Sequence, residues 1–217
     1  MRSAFLALAG GVLALSVHAE TGAVLRMDFS NPALSPSQWT LVIHPDGSGH
    51  FNSKRGNPST ADRPVIDAPD VDRDIQLSAE FANRVFQTVR RHRFLNERCD
   101  SLQKVAFQGL KKITYTGPEG QGTCEFNYSK DKEIQALSDS LVAVASTIVE
   151  GARLELLRHH DPLGLDSEMD YVADAVHDGR LQQIGAIRGL LERLEEDSGV
   201  MERVRKRARE LLTQADK

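Results

Sequence analysis

Apolar and polar positions alternate at period two in several short runs of the first two-thirds of the chain. Twice they switch to helical spacing. Trp39, Leu41 and Ile43 share one side of a run that ends at His44, and Pro45-Asp46-Gly47 supplies the residue types of a tight turn. Pairing His44 with Ser48 puts Leu41 opposite Phe51, so this stretch is expected to be a hairpin with Trp39, Leu41, Ile43 and Phe51 on one face. Val24–Phe29 is a further strand candidate, in an entry segment punctuated by Asn31-Pro32 and Ser35-Pro36. Residues 54–70 carry Pro58, Pro64 and Pro69 with almost no apolar pattern and are expected to be a long loop. Val71, Ile75 and Leu77 then alternate with Asp72, Asp74 and Gln76. Ser78 is placed to cap a helix whose apolar stripe is Phe81, Val85, Phe86 and Val89.

A second hairpin is expected from Lys111–Thr116 and Thr123–Tyr128, joined through the six residues Gly117–Gly122. Asp131 can cap a long helix marked by Ile134, Leu137, Leu141, Val144, Ile148, Ala152 and Leu156. Beyond Asp161-Pro162 the strand signals vanish. Asp166 is expected to cap a helix that Gly179 ends. A second helix is marked by Leu181, Ile184, Ile187, Leu191 and Leu194, and a third by Val200, Val204, Ala208, Leu211 and Leu212. The last two resemble one helical pair of a HEAT-type repeat, and a single pair needs another body to pack on. The expected fold is α+β: two β-hairpins forming an antiparallel sheet with helices on one face, then an all-α C-terminal subdomain. The boundaries are residues 1–19, 20–162 and 163–217.

The first of these segments reads as a signal peptide. Arg2 precedes the uncharged stretch Ala4–Val17, and Val17-His18-Ala19 offers small residues at −3 and −1 for cleavage before Glu20. The apolar run is about 14 residues, short of a bilayer span, and no later stretch approaches one. Export to a periplasmic or extracellular space is the expectation, and loss of Arg2 takes the formal charge from −4 to −5.

That compartment gives meaning to the two cysteines. Cys99 and Cys124 are expected to form a disulfide closing a loop of about 26 residues, worth roughly 3 kcal/mol in the chain-entropy model. Two cysteines exclude a disulfide-dense scaffold and a four-cysteine zinc site. Hydrophobic residues make up 40% of the 217, enough for a packed core, and aromatics only 6%, so aliphatic side chains must fill it. The charge of −4 argues against a basic nucleic-acid coat.

Few patterns carry chemistry. Asp70, Asp72 and Asp74 match positions 1, 3 and 5 of a calcium loop, but Ile75 replaces the glycine at position 6 and Phe81 the glutamate at position 12. A strand with a wet acidic face explains them better. His44 and His50 can share the outer face of the first hairpin without an evident third metal ligand. His159 and His160 sit where the dipole of the long helix favours imidazoles. Gly117, Gly120 and Gly122 do not make a phosphate loop, Ser48 in Gly47-Ser48-Gly49 is no nucleophile elbow, and H-E-x-x-H does not occur. Arg90-Arg91-His92-Arg93 and the five bases between Arg203 and Arg209 are basic patches, expected to be solvated faces.

Ile43–Phe51, the turn Tyr115-Thr116-Gly117-Pro118 and the basic stretch Arg203–Arg207 resemble uncharacterised exported bacterial proteins; the resemblance implies no activity. No acid–base or nucleophile set stands out, so the chain is expected to be an exported binding or protein-interaction module with no cofactor. Its partner would be a protein or a small ligand. The competing expectation is a metal-assisted hydrolase whose histidines and carboxylates converge in space.

Overall fold

The computed structural model describes residues 22–56 and 67–215. The signal peptide assigned to residues 1–19 and the middle of the proline-bearing loop lie outside the described residues.

Six strands form one antiparallel sheet: β1 (Val24–Ser30), β2 (Gln38–Ile43), β3 (Ser48–Lys54), β4 (Val71–Gln76), β5 (Leu110–Gly117) and β6 (Gly120–Phe126). Their spatial order is β4-β3-β2-β1-β5-β6. The first hairpin has the expected register, with Leu41 opposite Phe51. His44 N donates to Ser48 O at 2.8 Å to close it, and Gly47 takes φ 82°, which its missing Cβ permits.

The expected sheet of two hairpins is incomplete. The hairpins do not touch each other; β1 lies between them, pairing with β2 on one side and β5 on the other. Its alternation of Leu25, Met27 and Phe29 with Arg26 and Asp28 suits a central strand with one buried face. The second hairpin is also tighter than its glycines imply. Gly117 and Gly120 are themselves paired, leaving only Pro118-Glu119 as the turn.

One face of the sheet is apolar. Helices α1 (Ala79–Arg91) and α2 (Lys132–His160) cover it, so the buried core holds Leu25, Leu41, Phe51 and Ile113 against Phe86, Val89, Leu141 and Ile148. Both helices start where the caps predict. Ser78 Oγ accepts from Phe81 N at 3.2 Å, and Asp131 Oδ1 accepts from Glu133 N and Ile134 N at 2.9 and 3.0 Å.

The C-terminal run contains α3 (Pro162–His177), a short 3-10 turn (Ile184–Ile187), α4 (Arg188–Glu196) and α5 (Glu202–Ala215). Three expectations need correction here. The cap of α3 is Asp161, not Asp166: its carboxylate accepts from Gly164 N at 2.9 Å, and Pro162 starts the helix at the position where its missing N–H costs nothing. Asp166 is instead buried inside α3. Residues 181–187 do not begin the next helix, because Gln183 adopts a left-handed φ of 55° and only a 3-10 turn follows. On α2 the buried face at the C-terminal end is Leu154 and Leu157, while Leu156 is half-buried.

That last shift divides the interior. Residues Ile134 to Ala152 of α2 belong to the core under the sheet, whereas Leu154 and Leu157 belong to a second cluster with Leu165, Met169, Leu191, Leu194, Val204 and Leu211. One continuous helix of 29 residues therefore serves both. Polar contacts tie the two parts as well. Thr147 Oγ1 donates to Gln182 O at 2.7 Å, and Gln183 Oε1 accepts from Ser78 N at 2.8 Å, at the very start of α1.

Candidate functional site

The outer face of the sheet is polar and carries His50, Asp72 and Asp74 among the residues singled out by sequence. Asp72 and Asp74 project from β4 onto β3, where His50 bridges them: its Nδ1 lies 2.8 Å from Asp74 Oδ1 and its Nε2 lies 2.9 Å from Asp72 Oδ1. The hydrogen bond to Asp74, then that to Asp72, raises the pKa of this imidazole. Asp70 turns away, accepting from Arg55 N at 2.7 Å and lying 3.4 Å from Lys54 Nζ. The three carboxylates do not converge as a calcium loop would require. Val42 is directly opposite His50, and His44, which closes onto Ser48, stands diagonal to His50 on the same outer face, as expected. Among the described residues no group of three or more His, Cys, Asp or Glu is placed to hold a metal ion.

Sequence reasoning did not see that His50 belongs with Asp72 and Asp74. The pairing of β3 with β4 spans a long connection, and only the outward alternation of each strand hinted at it. His92 gives no signal of its own in the basic run Arg90–Arg93, because its acidic partners come from the segment after α1 and the start of α2. Its ring is nearly buried, 2.8 Å from Glu97 Oε1 and 3.4 Å from Glu133 Oε2, with Asp131 Oδ1 at 3.9 Å. Burial works against its charge, yet Glu97, Asp131 and Glu133 outweigh that and raise its pKa. His159 lies 3.5 Å from Glu155 at the exposed end of α2, remote in sequence and in fold from His50 and His92.

The basic stretch on α5 is consumed within the chain. Arg203 Nε lies 2.6 Å from Asp166 Oδ1, Arg207 pairs with both Asp166 and Asp170, and Arg205 and Arg209 reach Glu202 at 2.9 and 3.0 Å. Buried Asp166 thus locks α3 to α5. Arg203, Lys206 and Arg209 nevertheless stay largely exposed, so this side of α5 is also the solvated face expected.

A polar cluster of a different kind lies between α2 and α3. Arg153 Nη1 sits 3.1 Å from Glu150 Oε2 and 3.3 Å from Glu168 Oε1, all three side chains being largely shielded from water. Burial, only partly offset by Arg153, pushes the Glu150 carboxyl up to about 8. Unfolded chains shed this proton near 4.5 and the folded protein near 8, so folding becomes less favourable as pH rises between those values. Glu150→Gln removes that penalty. The variant should gain stability over wild type on going from pH 5 to pH 8, reaching on the order of 1–3 kcal/mol. Urea unfolding at the two pH values measures it, and parallel pH profiles for the two chains would refute the assignment.

Among the concavities of the described surface, three stand out. One of about 360 Å³ lies on the outer sheet face, bordered by Asp28, Thr40, Asn52, Lys54, Lys112 and Glu125. Asp28 is already engaged there, accepting from Thr40 Oγ1 at 2.7 Å and from Arg26 Nε at 2.8 Å. Another of about 330 Å³ runs between α1 and α2 beside Thr88, Arg91, Glu133 and Ser140. The largest, about 640 Å³, opens between the start of α1 and the C-terminal helices.

The floor of this largest cleft is apolar, made by Leu77, Val176, Leu181 and Ile184, and its rim carries the amides of Gln76, Gln182, Gln183 and Gln214. Glu80 and Arg84, paired to each other on α1, stand at one side, and Arg188 at the start of α4 at the other. Volume and lining match those of sites that take small ligands or peptide side chains. No histidine or cysteine lines any of the three concavities.

The cysteines are elsewhere. Cys99 and Cys124 form a disulfide with Cα atoms 5.5 Å apart, joining β6 to the segment after α1. Among the described residues no helix is long and apolar enough to cross a membrane. Comparison with known protein families and with curated proteins found no match to this chain.

Proposed function

We propose that this chain is an exported, non-catalytic binding module, and that its site is the cleft between α1 and the C-terminal helices. The cleft's lining carries the proposal: an apolar floor under a rim of glutamine amides. Gln183 Oε1 accepts from Ser78 N, and Gln76 Nε2 donates to Asp46 O and Leu77 O, which fixes these amides in place. The donors and acceptors left over suit the backbone of a peptide or another amide-bearing ligand that places an apolar group on Leu77, Leu181 and Ile184. Hydrolysis calls for a nucleophile within reach of a base, and the three histidines paired with acids among the described residues stand outside the cleft: His50 on the outer sheet face, His92 beside the start of α2 and His159 at its end. The disulfide fits an oxidising compartment, in keeping with the signal segment.

Gly185 borders the cleft with open space where a side chain would project. Gly185→Trp should fill the cleft and leave the fold intact. Native mass spectrometry of the protein recovered from its exporting cell should show a bound species in wild type and none in the variant. Equal occupancy in both would overturn this site, and turnover of ester or phosphate substrates by wild type would overturn the non-catalytic reading.

A further inference from the structure

Seven large apolar side chains are exposed among the described residues, and four of them fall within nine positions: Leu102, Val105, Phe107 and Leu110. Leu102 is 66% exposed and Phe107 58%. A fifth, Leu34, follows β1, whose last residue Ser30 pairs with Leu110. Exposed apolar side chains scattered singly are ordinary; a cluster of this kind marks a contact surface.

The backbone holds these side chains outward. Ser101 N donates to Tyr128 O at 3.0 Å, and Asn127 clamps the loop, its Oδ1 accepting from Gln108 N at 2.8 Å and its Nδ2 donating to Ala106 O at 3.1 Å. Leu102 takes a left-handed φ of 54°. At the far end Gly109, with φ 121°, lies against the Phe29 ring so closely that a Cβ would collide with it. Upstream, the Cys99–Cys124 bond fixes the loop to β6. The loop cannot fold its apolar side chains inward without breaking these ties, so their exposure is imposed by the fold.

Charge selects the partner. From Ser101 to Lys112 there are three lysines and no acid, in a chain whose net charge is −4. Lys111 is buried, donating to Asn127 O at 2.9 Å, and Lys112 stands between Asp28 and Glu125 on the sheet, whereas Lys104 is exposed on the loop itself. From Ser101 to Leu110 the loop thus offers an anionic plane a lysine and no carboxylate. Phenylalanine and leucine side chains enter the headgroup–acyl boundary of a bilayer, and lysines beside them reach back to phosphate. We infer that the loop Ser101–Leu110 attaches the protein peripherally to an anionic lipid bilayer, with Leu102, Val105 and Phe107 inserted and Lys104 at the headgroups.

Vesicle sedimentation tests this. Wild type, Phe107→Ser and Lys104→Glu are recovered in their final processed form, sequenced to confirm a common N-terminus, and mixed with vesicles of phosphatidylcholine alone or with phosphatidylglycerol added. Wild type should sediment with the mixed vesicles and much less with phosphatidylcholine alone. Phe107→Ser should weaken that binding about tenfold or more, the worth of one inserted aromatic side chain. Lys104→Glu should weaken it several-fold at low salt and less at high salt. Because both side chains are exposed, neither variant should change the melting temperature. Equal sedimentation of wild type and Phe107→Ser overturns the proposal, as does failure of wild type to bind either vesicle. A dimer of wild type in analytical ultracentrifugation that Phe107→Ser dissociates overturns it too, since the loop would then be an interface between copies.

Discussion

Replacing Leu191 by Ala should destabilise the whole protein by about 2–5 kcal/mol in a single cooperative transition. Leu191 is fully buried on α4, in the cluster with Leu154, Leu157, Leu165, Met169 and Val204. Truncation leaves a cavity bounded by three helices, and a helix interior relaxes only partly around such a loss. The cooperativity follows from α2. Its Leu154 and Leu157 lie in the damaged cluster, while Ile148 and Val144, about two and three turns before Leu154, lie under the sheet. Fraying the C-terminal half of that helix exposes both. The bonds from Thr147 to Gln182 and from Ser78 to Gln183 add polar links that break together with it. Calorimetry alongside far-ultraviolet circular dichroism measures both quantities. Two separated transitions, with only the lower one moved by Leu191→Ala, would show that the tail folds as its own unit.

Loss of the disulfide should cost about 3 kcal/mol, the worth of closing a loop of this length. The sequence separation is 25, and the bond holds an uncommon piece of backbone. Arg93, Phe94 and Leu95 all take positive φ, at 50°, 57° and 64°. Each such residue costs roughly 1–2 kcal/mol against the right-handed conformation. They persist because the segment is pressed onto β6: Gly122 has no side chain where the backbone of Phe94–Asn96 passes, and Phe94 stacks on Tyr115 with ring centroids 5.4 Å apart. In the chain with both Cys99→Ser and Cys124→Ser, amide exchange should therefore rise most between Arg93 and Gln103, and far less in β2 and β3. A change below about 1 kcal/mol, or uniform exchange across the sheet, would show that packing alone holds the turn.

Local chemistry made much of this fold legible. The register of the first hairpin follows from Gly47 and from the alternation of Trp39, Leu41 and Ile43, since a slip of one residue would turn all three toward water. The starts of α1 and α2 follow from Ser78 and Asp131, whose oxygens meet amides two or three residues away. With two cysteines in the chain, a disulfide has a single connectivity. Each of these depends on groups close in sequence, or on there being one choice.

What tertiary structure alone decided lies between distant segments. The place of β1 between the hairpins is one such outcome, because period-two alternation says which face a strand buries but not which strand lies beside it. The cap of α3 is another: Asp161 and Asp166 are the same residue type, and Asp166 went inside because Arg203 and Arg207 on α5 neutralise it there. The role of His50 was set by the approach of β4, and the elevated pKa of Glu150 by the way α3 closes over α2. The cleft belongs to this class too. Its lining comes from the end of β4, α1, the end of α3 and the turn after it, the start of α4 and the end of α5, and no one of these segments marks the cleft by itself. A sequence states what each residue can bury or bond; which residues meet depends on packing the elements together, and that free energy is summed over the whole core.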